Sequence, residues 1–295
     1  MESEIIEFPT DWKEYELIDS GSGMKLETFG PPTGEAGGYT VARPDPRALW
    51  KKSDATLWDA ADATFVRTSS TEGNWNIKKS PPDPWKISYK NLTFILKPTS
   101  FKHVGVFPEQ AVNWNWLTEQ IHGDSIKVLN LFAYTGGATL AAAAAGTQVT
   151  HVDAVKSAID WANENVVASN LKDKPVRWIE EDAMKFVMRE VKRGNTYDGI
   201  ILDPPRFGHG AKGELWKIED DLPKLLTEVK KILSPNPRFI LLNAYTADLS
   251  PLVLHHLLAD LVGDKNITFG ELALQESSSK RLLPNGIFAR WSHKK

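Results

Sequence analysis

The chain of 295 residues contains no cysteine. That absence excludes disulfides, zinc–thiolate centres and every mechanism that needs a thiolate nucleophile. Positive charge is not in excess either. The formal net charge is −3, so no global basic field draws in nucleic acid, and any RNA or DNA contact has to come from a local patch. No uninterrupted apolar run approaches the ~20 residues of a membrane span. The longest candidate, 128–145, is broken by Thr135-Gly136-Gly137. The segment MESEIIEFPTDW is acidic and lacks the cationic and apolar regions of a signal peptide. The expectation is a cytoplasmic protein without membrane association. The histidines are scattered: His255-His256 falls on an apolar helix and His151 on a strand, neither with ligand spacing, so no metal site is expected.

What is present divides near residue 98. Up to residue 97 the chain is rich in Gly, Pro, Trp and Thr, and TFVRTSS, WKISYKN and LTFILKP read as short strands between turns. Residues 1–97 are therefore expected to form an N-terminal β-rich accessory module. Its tryptophans (Trp12, Trp50, Trp58, Trp75 and Trp85) suit the core of a small sheet or a binding surface. From residue 98 to 295 the pattern changes. IKVLNLF, QVTHVD, VRWIEED, YDGIILD and RFILLNAY are apolar runs of strand length, separated by helical segments such as SAIDWANENVVASN and AMKFVMREVKRG. Strands alternating with helices predict an α/β fold with a mostly parallel, doubly wound sheet.

In such a sheet ligands bind outside the carboxyl ends of the strands. The first strand ends in Ala133-Tyr134-Thr135-Gly136-Gly137 and opens an alanine helix, 138–145, whose small side chains let it pack close to the sheet. The next strands end in Asp153, in Asp182, in Asp203-Pro204-Pro205 and in Asn243-Ala244-Tyr245. Asp153 follows Gly136 at close to the ~20-residue offset at which an acid accepts from ribose hydroxyls. The ribose role is the favoured reading; the alternative is a cap for the helix that starts near Ser157. Asp182 can accept from an exocyclic amine, cap the following helix, or do both. A dinucleotide fingerprint needs G-x-G-x-x-G against the pyrophosphate; here only two glycines stand together, with no third before Gly146. S-adenosylmethionine has no phosphate to cradle and fits better. A nicotinamide oxidoreductase and a non-catalytic adenosyl- or RNA-binding module are the alternatives.

The segments HVGVFPEQAVNW, VLNLFAYTGG, HVDAVKSAIDWANEN, EEDAMKFV, DGIILDPPRFG and LPNGIFARW come in a familiar order. Together they resemble class I S-adenosylmethionine-dependent methyltransferases of the large-subunit ribosomal RNA group, and are most similar to the enzymes acting on cytosine C5 and guanine N7. The resemblance implies a Rossmann-like methyltransferase sheet over 98–295, S-adenosyl-L-methionine as cofactor and RNA as partner. It implies cofactor contacts at Ala133, Tyr134, Thr135, Gly136, Asp153, Asp182 and Asp203, with Phe107 and Gln110 helping to close the site.

Two departures bear on the chemistry. The cytosine-C5 enzymes add a cysteine to C6 of the base; this chain has none, and Tyr245 stands where the cysteine would. A phenol, with a pKa of about 10, is mostly protonated at neutral pH. Amino-group methyltransferases usually place an aromatic directly after Asp-Pro-Pro, whereas here Arg206 intervenes and Phe207 follows. The catalytic expectation is Asp203 orienting a nitrogen acceptor, Pro204 and Pro205 stiffening the loop, and Phe207 stacking on a planar base. Arg206 could meet a phosphate. In the opposing structural reading Phe207 is core and Arg206 solvated. The glycine-rich HGAKGE (209–214) is expected to act as a lid. Lys280 and Arg281, in SSSKRLLPNG, read as a solvated loop or as a contact to RNA backbone.

Overall fold

The structure, a computed structural model, describes residues 3–31, 38–69, 72–123, 126–209, 215–245 and 248–293. In chain order the strands of the first part are β1 (Ile5–Glu7), β2 (Tyr15–Gly21), β3 (Met24–Phe29), β4 (Tyr39–Pro44), β5 (Ala63–Arg67), β6 (Gly73–Ile77), β7 (Lys86–Tyr89) and β8 (Leu92–Ile95). Then come α1 (Ala111–Gln120), β9 (Lys127–Leu131), α2 (Gly137–Ala144), β10 (Gln148–Asp153), α3 (Lys156–Ala168), β11 (Val176–Glu180), α4 (Ala183–Arg193) and β12 (Gly199–Leu202). The remainder comprises β13 (Phe207–His209), β14 (Leu215–Lys217), α5 (Ile218–Lys231), β15 (Phe239–Ala244), α6 (Pro251–Val262), β16 (Ile267–Gln275) and β17 (Leu282–Ser292).

The chain separates into two compact units. One holds residues 1–7, 112–272 and 285–295, the other 8–111 and 273–284. The sequence places the division after residue 97; the structure places it at 111/112. Residues 98–104 run with the β-rich unit: Gly73 N–H donates to Ser100 O, Lys97 N–H to Val104 O and the Trp75 indole to Thr99 O. The extreme N-terminus departs in the other direction, because β1 pairs in parallel with β16 at the edge of the large sheet.

That sheet has the order β1-β16-β17-β15-β12-β9-β10-β11. The five strands read from the sequence as successive apolar runs are parallel to their neighbours, and β17 alone joins β15 antiparallel. All residues of β12 and β15 are buried, as a parallel sheet covered on both faces requires. Leu129, Leu131, Ile200 and Leu242 pack with Phe186 of α4, Leu225 of α5 and Leu258 of α6 in one cluster. The helices are locally specified. α4 begins at Asp182, whose side chain accepts Lys185 N–H, and ends at Gly194 with φ +69 after Lys192 and Arg193.

The second unit is built on a five-stranded sheet, β2-β3-β4-β5-β6, with a β7–β8 hairpin. Its core is aromatic: Trp85 packs edge-on against Phe29 and Tyr39, and Trp12 lies 4.7 Å from the Tyr89 ring. Trp58 and Trp85 are buried, while Trp50 is half-buried. Glu27, with no exposure, accepts from Tyr15 Oη and the Arg43 guanidinium. Burial alone would raise its pKa, but Arg43 and Lys25 hold it at about 2.

Candidate active site

Strand order reverses between β9 and β12: β10 and β11 lie beyond β9, and β15 beyond β12. In open α/β sheets the crevice at such a reversal is where ligands bind. The residues that follow these two strands, 132–137 and 203–206, are therefore the first to inspect, and both segments were singled out from the sequence.

After β9 the backbone coils sharply. Phe132 (φ +57), Tyr134 (φ +49) and Gly136 (φ +85) all take left-handed conformations, which cost about 1–2 kcal/mol at each non-glycine position. The surroundings hold them there. Tyr134 N–H donates to Asp153 Oδ2 at 2.8 Å, Asn165 Nδ2 donates to the Thr135 carbonyl at 2.9 Å, and Ala133 N–H reaches Val152 O at 3.1 Å. Gly136 is the N-cap of α2 and offers no side-chain cap. A Cβ on Gly137 would stand 2.5 Å from Trp114 Cζ2, so only glycine lets α2 start this close to α1.

Asp153 is not the cap of α3, which begins after Val155 without a side-chain bond. Its Oδ1 accepts Val155 N–H at 2.9 Å and its Oδ2 takes Tyr134 N–H. Among the described residues its partners are backbone N–H groups, with no cation. Burial raises its pKa, opposed by the N–H groups of Val155, Tyr134 and Ala154. Each carboxylate oxygen retains acceptor capacity. Asp182 does cap α4, through Oδ1 to Lys185 N–H at 2.9 Å.

After β12, Asp203 is half-buried, Pro204 buried and Pro205 exposed. The Trp216 indole donates to the Pro205 carbonyl at 2.7 Å and packs 5.0 Å from Phe132, tying the two segments together. Phe207 is 55% exposed, so it is not core. Arg206 is ion-paired with Asp248 and lies 3.7 Å from Glu219, so it is not simply the solvated group of the structural reading. In β13 and β14 Phe207 pairs with Lys217 and Gly208 with Trp216. Residues 210–214 of the expected lid lie outside the described residues.

Asn243, at the end of β15, accepts from Asn113 Nδ2 at 2.8 Å; Asn113 Oδ1 accepts from Arg290 Nε at 2.7 Å; and Arg290 pairs with Glu7 at 2.7 Å. All four lie in the first unit. Sequence reasoning missed this chain, as it missed Asn165 and Trp216, although Asn113 and Arg290 sit inside quoted segments. Phe107 and Gln110 belong to the second unit, where Gln110 N–H donates to the Phe107 carbonyl at 3.1 Å across the short turn Pro108–Gln110.

The group of residues fits an adenosyl ligand better than a dinucleotide. A pyrophosphate would face carboxylates at three strand ends, Asp153, Asp182 and Asp203. Hydroxyl, amine and ammonium donors find acceptors there.

The eight-stranded order, with β17 antiparallel to β15, and the acidic strand ends around the reversal define a Rossmann-like nucleoside-binding fold. Residues 51–252 match the model of the S-adenosylmethionine-dependent methyltransferases, and the chain belongs to that family. It is 42% identical to a SAM-dependent methyltransferase from Agrobacterium tumefaciens of known crystal structure, with a TM-score of 0.90, covering 98% of this chain and 94% of that one. It is also 33% identical over 155 residues to the ribosomal RNA large subunit methyltransferase K/L of Shewanella frigidimarina, and 37% over 119 residues to that of Pseudoalteromonas translucida. These alignments span 51% and 40% of this chain but only 21% and 16% of the relatives. Family membership removes the nicotinamide alternative, and S-adenosylmethionine is the cofactor. Among the described residues no helix is long and apolar enough to cross a membrane.

Proposed function

We propose that the protein methylates a base nitrogen of RNA of the large-subunit ribosomal type, in the cytoplasm. The observation that carries this reading is Phe207: a large aromatic ring, 55% exposed, held beside Asp203-Pro204-Pro205 by the Trp216–Pro205 bond. A ring left in water at that place suits stacking on a planar base. The names of the Shewanella and Pseudoalteromonas relatives point to the same substrate class.

In this reading Asp153 accepts from the ribose hydroxyls and Asp182 from the adenine amine. Ala133, Tyr134, Thr135 and Gly136 line the ligand. S-adenosylmethionine supplies a methyl group on a sulfonium, transferred by in-line displacement. The protein then has to align the acceptor and exclude water. Asp203 orients the acceptor nitrogen, Pro204 and Pro205 keep its loop stiff, and Phe207 fixes the plane of the base. A nitrogen with a lone pair needs no covalent activation. Cytosine C5 does, and a chain without cysteine has no thiol to add to C6.

The test is transfer of labelled methyl from S-adenosylmethionine to RNA by the purified protein. Label in the RNA fraction, lost in Phe207→Ala with cofactor affinity retained, supports the proposal. Cofactor binding with no label in any RNA contradicts it.

A further inference from the structure

The second unit carries a basic surface that the proposed chemistry does not use. The segment Trp50–Ser53 and the turn Ser277–Arg281, far apart in sequence, lie side by side. Ser22 N–H donates to Trp50 O and Gly23 N–H to Ala48 O, which fixes the first segment on the β2–β3 turn. Ser277 N–H and Ser278 N–H donate to Leu17 O and Ile18 O, which fixes the second on β2. The two meet directly where Ser53 Oγ reaches Ser278 Oγ at 3.1 Å.

Two carboxylates with no exposure lie beneath. Asp19 accepts from Ser53 N–H at 3.1 Å and from the Trp58 indole at 2.9 Å. Glu276 accepts from Ser20 N–H at 3.1 Å and from the hydroxyls of Ser20 and Ser279. The buried carboxylates are thus satisfied by hydroxyl, amide and indole donors, with the Arg281 guanidinium also 4.0 Å from Glu276 Oε1, and the bonds hold both segments in place. Above them stand Lys51, Lys52, Lys280 and Arg281, of which all but Lys52 are exposed. The Arg281 guanidinium lies 5.2 Å from the half-buried Trp50 ring and Lys52 Nζ 3.7 Å from the Trp58 ring. Lys280 is held at φ +65, a conformation that costs a lysine free energy and that the Lys280 N–H bond to Glu276 O at 3.0 Å sustains. The exposed acids nearby are Asp54, which caps the following turn, and Asp59; with the buried Asp19 and Glu276 they offset the four cations, so the cluster is neutral as a whole and basic only on its outer face.

We propose that Trp50–Ser53 and Ser277–Arg281 form one surface that grips the phosphate backbone of the RNA substrate. The proposal rests on the RNA reading given above. Cations fixed to a buried polar base pay less ordering entropy on binding than free side chains do. A guanidinium stacked on indole keeps its N–H edge for phosphate oxygens. Serine hydroxyls add neutral phosphate donors. An acidic membrane would be met by a flat, mobile cluster of lysines; a base-plus-aromatic arrangement on rigid turns suits a nucleic acid better.

The test compares the full-length protein with a Lys51→Ala/Lys280→Ala/Arg281→Ala variant. Binding to extracted large-subunit ribosomal RNA is followed by fluorescence anisotropy from low to moderate salt, with S-adenosylhomocysteine affinity measured alongside to report the fold. The expected result is RNA binding weakened roughly tenfold or more, with a log Kd against log salt slope shallower by about 2–3, and unchanged S-adenosylhomocysteine binding. Wild-type RNA binding that the variant reproduces at every salt overturns the surface while leaving the RNA reading in place. Wild-type protein that binds no RNA at all overturns the RNA reading and the surface with it. So does binding transferred to phosphatidylglycerol vesicles and lost in the variant.

Discussion

The backbone N–H of Tyr134 lies 2.8 Å from Asp153 Oδ2, joining the coil after β9 to the end of β10. The same carboxylate thus holds the turn in its left-handed conformation and retains acceptor capacity for a ligand. Asp153→Ala is expected to weaken S-adenosylmethionine binding by about 1–3 kcal/mol, the cost of leaving buried donors without a charged acceptor. Titration calorimetry measures it. Unchanged affinity would show that Asp153 serves the turn alone. The pH dependence has a definite sign. Burial raises the Asp153 pKa, and a ligand donating hydrogen bonds favours the ionised form. Affinity is therefore full above that raised pKa and falls as the pH drops through it.

Gly137 abuts Trp114 so closely that an added Cβ would sit 2.5 Å from Cζ2. Gly137→Ala must push α2 away from α1 or turn the indole. A loss of stability of about 1–3 kcal/mol is expected, with weaker cofactor binding because the coil before α2 shifts too. Denaturant melting and calorimetry report the two effects, and a variant matching wild type in both contradicts the packing argument.

Trp216 and Phe207 divide support from contact. Trp216→Phe removes the bond to the Pro205 carbonyl and is expected to lower kcat severalfold while cofactor Kd holds. Phe207→Ala removes an exposed ring and is expected to raise KM for RNA, with stability changed by less than about 0.5 kcal/mol, as for an exposed residue. Steady-state kinetics with varied RNA separates them. A large stability loss in Phe207→Ala would mean that the ring packs rather than stacks.

Buried groups make both units sensitive to acid. His151 has no exposure, contacts Thr139 Oγ1 through Nδ1 at 2.9 Å, and is pushed down to about 3 by burial. Its folded pKa lies below the unfolded value, so its contribution is full above about 6.5 and drains as the pH falls toward 3. Glu27, at about 2 beside Arg43, contributes above about 4.5 and loses up to about 3 kcal/mol as the pH falls toward 2. Burial pushes His103 of the second unit down to about 3 as well, so unfolding by urea across pH should show a decline in both units as the pH falls below about 6.5. His151→Gln should flatten the decline of the large-sheet unit; an unaltered slope would contradict the assignment.

Much of the large sheet was legible because its strands are short apolar runs bounded by turn residues and its helices carry their own caps, as at Asp182 and Gly194. The strand-end carboxylates were legible for the same reason: a polar residue closing an apolar run has few other readings. What escaped the sequence depends on distant partners. Nothing local marks Asn165 as the donor to Thr135, or Trp216 as the clamp on Pro205. β1 has only three residues, and its place at the edge of the large sheet is set by pairing with β16, so proximity to the β-rich segment misled. Nothing local marks Asp248 and Glu219 as the partners of Arg206 either. Lys280 and Arg281 lie on an exposed turn, and the contact of Arg281 with Trp50 was not legible because the two are far apart in sequence.

The most direct measurement is mass spectrometry of nucleosides from large-subunit ribosomal RNA incubated with S-adenosylmethionine and the purified protein, against a reaction with Asp153→Ala. The account predicts one new methylated base, with the methyl group on a ring or exocyclic nitrogen, formed by the wild type and strongly reduced with the variant. Formation of 5-methylcytosine by a chain that contains no cysteine, or no methylated nucleoside at all from an active cofactor-bound protein, would contradict it.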